Sequence, residues 1–312
     1  MYLGETIALI VAVSWTVTAM FAEIASKRIG QLAVNIVRMA LSLVFLAALL
    51  WIVTGAPYPR FAGKEAWLWL VASGLVGYLF GDFCLFNSYI VIGSRFGQLF
   101  MTLSSVFAAF AGFLLIGEKL SWTALLAMTI TLCGIGLSVM SKSSPEEGGE
   151  AHLKLKLPIK GVMLGLGAAL GQGFGLVLSK QGMISYEAGA AANAYPALMV
   201  PFAGTYIRAI AGLIGFLAMA AVQCKFGDLR NAMHEKKGLW ATCGATVFGP
   251  FIGVSLSLMA IQHTATGIAQ TIMALTPVLI LLPAHIFFKQ KITPLEILGA
   301  CISVAGVSLF FI

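Results

Sequence analysis

The run from Ser141 to Pro158, SKSSPEEGGEAHLKLKLP, divides an otherwise strongly apolar chain close to its middle. Each side of it holds apolar sequence for five membrane crossings. The spacing predicts helices over roughly 5–24, 32–54, 66–91, 96–116 and 121–140, then 159–180, 198–223, 238–261, 266–288 and 293–312. Duplicating an odd number of crossings must reverse the second copy relative to the first. The expected fold class is therefore an all-α integral membrane protein with ten transmembrane helices, built as two inverted five-helix repeats around a central cavity. The repeats would occupy residues 1–141 and 159–312, joined by the polar linker 142–158. Exchanging the roles of two inverted halves carries a midplane site from one membrane face to the other, so this arrangement points to a secondary transporter.

Composition supports the lipid environment. Of 312 residues, 60% are hydrophobic and only 10% charged, whereas about a quarter of a soluble protein is charged. Lipid offers backbone groups no partner, so helices are expected, not irregular segments. A net charge of +7 is spread through short loops and makes no basic stripe interleaved with aromatics, which argues against nucleic acid and leaves membrane lipids as the surrounding partner. Five cysteines lack CxxC spacing, so neither a disulfide framework nor a metal site is expected, and no cofactor motif is present. The first apolar run begins near Glu5 without a basic leader or a small-residue cleavage site, and reads as a first span. A multi-pass protein of the plasma (inner) membrane is expected.

The halves can be compared by sliding residues 64–140 onto 236–312, a shift of 172. Lys64, Gly77, Gly81, Gln98, Met101, Leu103, Val106, Lys119, Gly134 and Leu137 then fall on Lys236, Gly249, Gly253, Gln270, Met273, Leu275, Val278, Lys291, Gly306 and Leu309. Ten identities carry little weight between apolar sequences. The shared Gly-x-x-x-Gly pair, glutamine, basic loop residue and late glycine carry more. Arg38 and Arg208, early in the second helix of each half, correspond at a shift of 170.

Gly77 through Met140, with the Gly117-Glu118-Lys119-Leu120 turn and Gly134-Ile135-Gly136-Leu137, resembles the EamA-type repeat of the drug/metabolite transporter superfamily. The second copy is similar in Thr276-Pro277-Val278, Lys291-Ile292 and Gly299 through Val307. Two positions depart from that pattern: Ser105 stands where Pro277 stands in the second half, and Gln290 stands where Glu118 stands in the first. The resemblance implies a transporter of small metabolites, frequently an exporter, with a cavity between the halves.

Asp82 is the sharpest candidate for chemistry, because a carboxylate deep in a span costs roughly 2.5–3.5 kcal/mol and should face a cavity or a partner. Its counterpart is Val254, so the acid is not required by what the halves share. It could couple transport to protons, or pair structurally with Arg38 or Arg95. Gln98 and Gln270 could hold a polar or zwitterionic solute across the pseudo-twofold axis, or bind neighbouring helices. Arg38 and Arg208 could bind an anionic group or snorkel to headgroups. Trp15, Tyr78 and Asn87 could line the same cavity, Tyr78 and Asp82 lying four apart on one helix face, or could anchor and pack. His285 could join a proton relay or bridge helices; His263 lies near a loop.

Gly77, Gly81, Gly249 and Gly253, with the run Gly161, Gly165, Gly167, Gly171, Gly173 and Gly175, permit close helix contact and suit helices that slide. Pro277 and Pro283 delete hydrogen bonds to the carbonyls of Met273 and Leu279 and predict a bend or hinge, as Pro250 does one helix earlier. Ser185–Tyr195 reads as a loop, with a gate as the alternative. Loops after odd-numbered helices carry 13 basic residues and those after even-numbered ones 4, counting Lys180 among the latter. That asymmetry favours termini outside, whereas the resemblance favours termini inside.

The function expected is secondary active export or exchange of small polar metabolites, such as amino acids, by alternating access and with a proton as candidate partner. A channel or receptor is the alternative. An enzyme on lipid-linked substrates would need a catalytic cluster, and no HExxH, GxSxG or paired carboxylates occur.

Overall fold

The computed structural model describes residues 2–140, 158–281 and 293–311. Its helices, in chain order, are α1 Leu3–Ile29, α2 Gln31–Thr54, α3 Lys64–Ile92, α4 Phe96–Ile116, α5 Trp122–Ser138, α6 Ile159–Ala192, α7 Ala197–Val222, α8 Lys236–His263, α9 Thr266–Leu279 and α10 Pro294–Phe311. Eight of these are long and apolar enough to cross a membrane; α5 and α9 are shorter apolar helices. A short helix, Phe226–Ala232, precedes α8. The outer surface is apolar, with Ile52, Trp122 and Val222 each more than 80% exposed, as suits a protein solvated by lipid.

Glycine sets how the helices meet. Gly117 ends α4 in the left-handed conformation (φ 71°), which a glycine adopts without strain, and this turns the chain toward α5. Along α6, the glycines remove side chains on two faces. Gly171 and Gly175 abut Gly81 and Gly77 of α3, while Gly165 and Gly173 abut Phe100 and the Ser104–Phe107 stretch of α4. α6 thus lies antiparallel to α3 and parallel to α4. A hydroxyl bond reinforces the contact, with Ser73 Oγ donating to the Gly175 carbonyl at 2.6 Å.

The first helix has a corresponding place in the other half. α1 runs antiparallel to α8, since Gly4 lies at Ala260, Trp15 at Gly253, Thr18 at Gly249 and Phe21 at Gly244. Ser14 Oγ donates to the Phe248 carbonyl at 2.6 Å, and Thr276 Oγ1 reaches the Ala12 carbonyl at 3.4 Å. α5 and α10 also run antiparallel to each other, through Gly134 against Ser303, Gly299 against Ser138 and Gly306 against Thr131.

Two irregularities recur at the same shift of 172. Leu75–Asp82 within α3 is a π-helix, and so is Val247–Val254 within α8. The helix is interrupted at Thr102–Leu103 in the first half and at Ala274–Leu275 in the second. The second interruption precedes Pro277, and the Met273 carbonyl that this proline leaves without a backbone donor accepts from Thr276 Oγ1 at 3.0 Å. The first occurs with no proline: Ser105 Oγ donates back to the Thr102 carbonyl at 2.8 Å and competes with the backbone ladder. Pro250 was expected to bend its helix; it sits inside the π-helical segment, where the wider hydrogen-bond pattern accommodates the missing donor.

The sequence expectation errs most around α6. A helix over 159–180 followed by a loop at Ser185–Tyr195 was expected, but the helix continues to Ala192 and only 193–196 are irregular. Glu187 lies within the helix and accepts from Gln262 of α8 at 2.6 Å, so a polar stretch is held helical by tertiary contact. Lys180 is consequently not a loop cation. It forms an ion pair with Glu118 at 2.6 Å and donates to the Thr264 carbonyl at 2.8 Å. Thirty-four residues span about 50 Å as a helix, more than a hydrocarbon core needs.

Candidate substrate cavity

A cavity of 80 Å³ lies where α1, α2, α3, α4, α6 and α8 meet, lined by Trp15, Arg38, Tyr78, Asp82, Tyr89, Gln98 and Gln172, with apolar wall from Phe86, Met101 and Val254. A single water needs roughly 10–15 Å³ in such a measure, so the space exceeds what one water requires and admits a small solute. A smaller neighbour, of 10 Å³, shares Trp15 and Gln98 with it and adds Gln270 and Thr276.

The polar centre is an ion pair. Arg38 Nη2 donates to Asp82 Oδ2, and both side chains are about 6–7% exposed. Asn35 Oδ1 accepts from Arg38 Nη2 at 3.0 Å, and the guanidinium lies 4.8 Å from the Phe86 ring centroid. The other carboxylate oxygen, Asp82 Oδ1, accepts from Gln172 Nε2 at 2.6 Å, and the same amide nitrogen reaches the Gly77 carbonyl at 3.1 Å. A buried ion pair is helped by further hydrogen bonds; Asn35 and Gln172 supply one on each side here, while Arg38 Nε is buried without a partner. Gln172 ties α6 of the second half to the acid of the first.

The π-helical segment explains how α3 presents this acid. A π turn holds more residues than an α turn, so Gly77, Tyr78, Gly81 and Asp82 can all be buried along one wall of α3. Gly77 and Gly81 let α6 approach, while Tyr78 and Asp82 line the cavity beside them.

Arg208 of α7 occupies the position corresponding to Arg38. Its guanidinium stacks on Tyr78 at 4.8 Å from the ring centroid, and a Cβ at Gly77 would lie 3.0 Å from its Nη2. Arg38 stands similarly to Gly249, whose Cβ would lie 3.9 Å from Nη1. Each arginine therefore abuts the first glycine of the Gly-x-x-x-Gly pair in the opposite half. Snorkelling is overturned for both, since they are 5% and 3% exposed at the centre of the protein.

Of the residues singled out from sequence, Trp15, Arg38, Tyr78, Asp82 and Gln98 meet at the main cavity, and Gln270 at its neighbour. Gln98 donates to Tyr89 Oη, and Gln270 Nε2 donates to Ser104 Oγ at 2.7 Å. Asn87 is no lining residue: its amide donates to the Phe83 carbonyl of its own helix at 2.7 Å. His263 is exposed at the end of α8. His285 and Pro283 lie outside the described residues, as does the side chain of Arg95. Sequence reasoning missed Tyr89 and Gln172. Gln172 does carry a signal, an amide in the middle of an apolar glycine-rich helix, which is as costly to leave without a partner as Gln98 or Gln270.

On the side of the cavity toward the N-terminus of α1, a second polar cluster joins the halves. Glu118 Oε2 accepts from the Thr266 backbone N–H at 3.0 Å and from its hydroxyl at 2.5 Å, while Oε1 meets Lys180. Thr264 donates to Glu5 Oε1 at 2.6 Å beside it. No group of three or more His, Cys, Asp or Glu suited to a metal occurs among the described residues.

The fold and this cavity define a multi-pass helical membrane protein with a largely apolar pocket between the two halves that carries the Arg38–Asp82 pair in its wall. The model of the EamA-like transporter family matches residues 2–140 and 159–312, and the chain belongs to that family, whose members are membrane transporters of small molecules. A crystal structure described only as that of a protein has a similar fold, with a TM-score of 0.69 at 13% identity, covering 98% of this chain and 95% of the other. No curated protein matches.

Proposed function

We propose that the protein is a secondary active transporter, an exporter or exchanger of small polar metabolites such as amino acids, working by alternating access in the plasma membrane. Its two five-helix units, 1–141 and 159–312, are inverted repeats of a ten-helix bundle joined by the linker 142–158. The antiparallel course of α5 and α10, the fifth helix of each half, supports the inversion, as do the π-helical segments and helix interruptions recurring at one shift.

The observation that carries the reading is the cavity between the halves with the Asp82–Arg38 pair in its wall. An acid there can exist charged or protonated; the arrangement seen, with Arg38 on one oxygen and Gln172 on the other, suits the charged form, and protonation would weaken it. Rocking of one half against the other would open and close the Glu118–Lys180–Thr266 cluster, which lies between them. The smooth glycine surfaces of α6 are compatible with that motion.

Purified protein in proteoliposomes should show saturable flux that a pH gradient accelerates. Asp82→Asn should remove the acceleration while solute still protects the protein from heat. Gradient-driven flux unchanged by that substitution would exclude Asp82 from coupling, and conductance without saturation would replace the carrier with a channel.

A further inference from the structure

At the end of α3 where the chain enters it from α2 lies a groove of 420 Å³, separate from the cavity between the halves. Ala62, Lys64, Trp67, Leu68 and Val71 line it. Lys64 is the first residue of α3, and Lys64, Leu68 and Val71, spaced i, i+4 and i+7, share one face of that helix. At 1.5 Å per residue the groove runs from the start of the span to roughly 10 Å deeper. Leu68 is 71% exposed and Trp67 half-buried, so the wall is apolar and open to the surrounding lipid.

The cations here have no counter-charge within the protein. Neither Lys64 nor Arg60, four residues earlier, forms an ion pair among the described residues, and the Arg60 guanidinium rests 5.0 Å from the Phe61 ring centroid. Glu65 is exposed but is not among the residues lining the groove. The segment that carries these cations is clamped to the second half. Tyr186 Oη of α6 donates to the Arg60 carbonyl at 2.8 Å, and the rings of Phe61 and Tyr195 meet edge-on with centroids 6.0 Å apart. A Cβ at Gly189 of α6 would lie 2.5 Å from the Phe61 carbonyl oxygen. An occupant of the groove would therefore brace a contact between the halves.

We propose that the groove is a binding site for one phospholipid with an anionic headgroup, an acyl chain lying along Trp67, Leu68 and Val71 and the phosphate meeting Lys64. The apolar wall cannot select among lipids by itself, because their tails are as apolar as its side chains. Selection comes from charge. A lysine at the start of a span lays its stem on the apolar wall and carries its ammonium to headgroup level. Each such cation favours an anionic lipid over a zwitterionic one by about fivefold, and Arg60 adds to the attraction. Trp67 suits the same boundary, where an indole anchors between hydrocarbon and headgroups.

Native mass spectrometry and thermal unfolding of the full-length protein in detergent, with dioleoylphosphatidylglycerol or dioleoylphosphatidylcholine added, test this. One phosphatidylglycerol per chain should be retained at least about fivefold over phosphatidylcholine and should raise the unfolding temperature more. Lys64→Ala should reduce that preference about fivefold, and Arg60→Gln by a smaller factor. Lys236→Ala, at the corresponding place in the second half, should leave it unchanged. Leu68→Trp, which copies Trp240 of the second half, should lower phosphatidylglycerol retention with every charge intact. Equal retention of the two lipids, or a preference that Lys64→Ala does not alter, overturns the anionic headgroup. Full retention in Leu68→Trp overturns the groove as the seat of the chain. Should Lys64→Ala or Leu68→Trp fail to fold, the other substitutions and the lipid preference of the parent protein still decide.

Discussion

Adding one methyl group at Gly171 tests how the second half is seated in the first. An ideal Cβ there would lie 2.7 Å from the Gly81 Cα, 2.9 Å from the Val76 carbonyl oxygen and 3.0 Å from the Gly81 nitrogen. Carbon atoms in good contact stand at about 3.5–4.0 Å, so α6 and α3 would have to part by roughly 1 Å. Backbone atoms on the far side cannot rotate away. The same displacement would loosen the Gln172–Asp82 bond at 2.6 Å and the approach of Gly175 to Gly77. Overpacking of this kind costs about 1–3 kcal/mol, and relief of the glycine helix penalty returns about 1 kcal/mol at most. Gly171→Ala should therefore destabilise by about 1–2 kcal/mol, and Gly171→Val by more. Gly136 provides the control, since a Cβ there meets nothing within 4 Å. Gly136→Ala should be neutral or slightly stabilising. Thermal unfolding of detergent-solubilised protein, followed by thiol reactivity of buried Cys84, measures both. If the two alanine variants unfold together at the parent temperature, the contact between α6 and α3 is not as described.

Three further substitutions test other parts of the structure. Asp82→Leu leaves Arg38 buried without its counter-charge and should cost about 3–5 kcal/mol, while combining it with Arg38→Met should recover much of that; thermal unfolding of the two singles and the double closes the cycle. Glu118→Gln keeps an acceptor for Thr266 but loses the charge facing Lys180, so cysteine accessibility at positions flanking Thr264 should rise as the halves part more easily, and unchanged labelling would deny that cluster a closing role. Ser105→Ala should remove the bond to the Thr102 carbonyl and lower stability by about 1 kcal/mol, the ordinary worth of one such hydrogen bond.

The fold was readable because lipid simplifies the sequence code. Apolar length alone placed α1, α2, α4 and α7 to within a few residues, and the positions of glycine and the Glu118 turn aligned the halves. What failed at α6 is instructive: Ser185, Glu187 and Asn193 look like a loop when exposure is judged from polarity, yet Gln262 of α8 supplies Glu187 with a partner from 75 residues away. Local composition cannot contain that information. Lys180 was misplaced for the same reason, with Glu118 as the distant partner. At the cavity, Asp82 stood out because an acid in a span is rare, and of its two alternatives the structure shows the pair with Arg38. Tyr89 had no such signal, since one tyrosine among many apolar neighbours is indistinguishable from a packing residue until the fold brings Gln98 to it.

The π-helical segments link these observations. A single register change in α3 would be a local curiosity; the same eight-residue change in α8, 172 positions later, occurs in a sequence that shares only Gly77/Gly249 and Gly81/Gly253 across it. Proline cannot be the common cause, because Pro250 has Tyr78 as its counterpart. What both segments share is a crowded surface: Gly171 and Gly175 press on the first, and Trp15 and Thr18 press on the second. The wide turn lets a helix keep its hydrogen bonds while turning two glycines toward the neighbouring helix. It also brings Tyr78 and Asp82 to the cavity in one half, and Pro250 and Val254 in the other. The two repeats thus present corresponding walls that differ at Asp82 and Val254, so Arg38 has an acid to pair with while its counterpart, Arg208, forms no ion pair among the described residues.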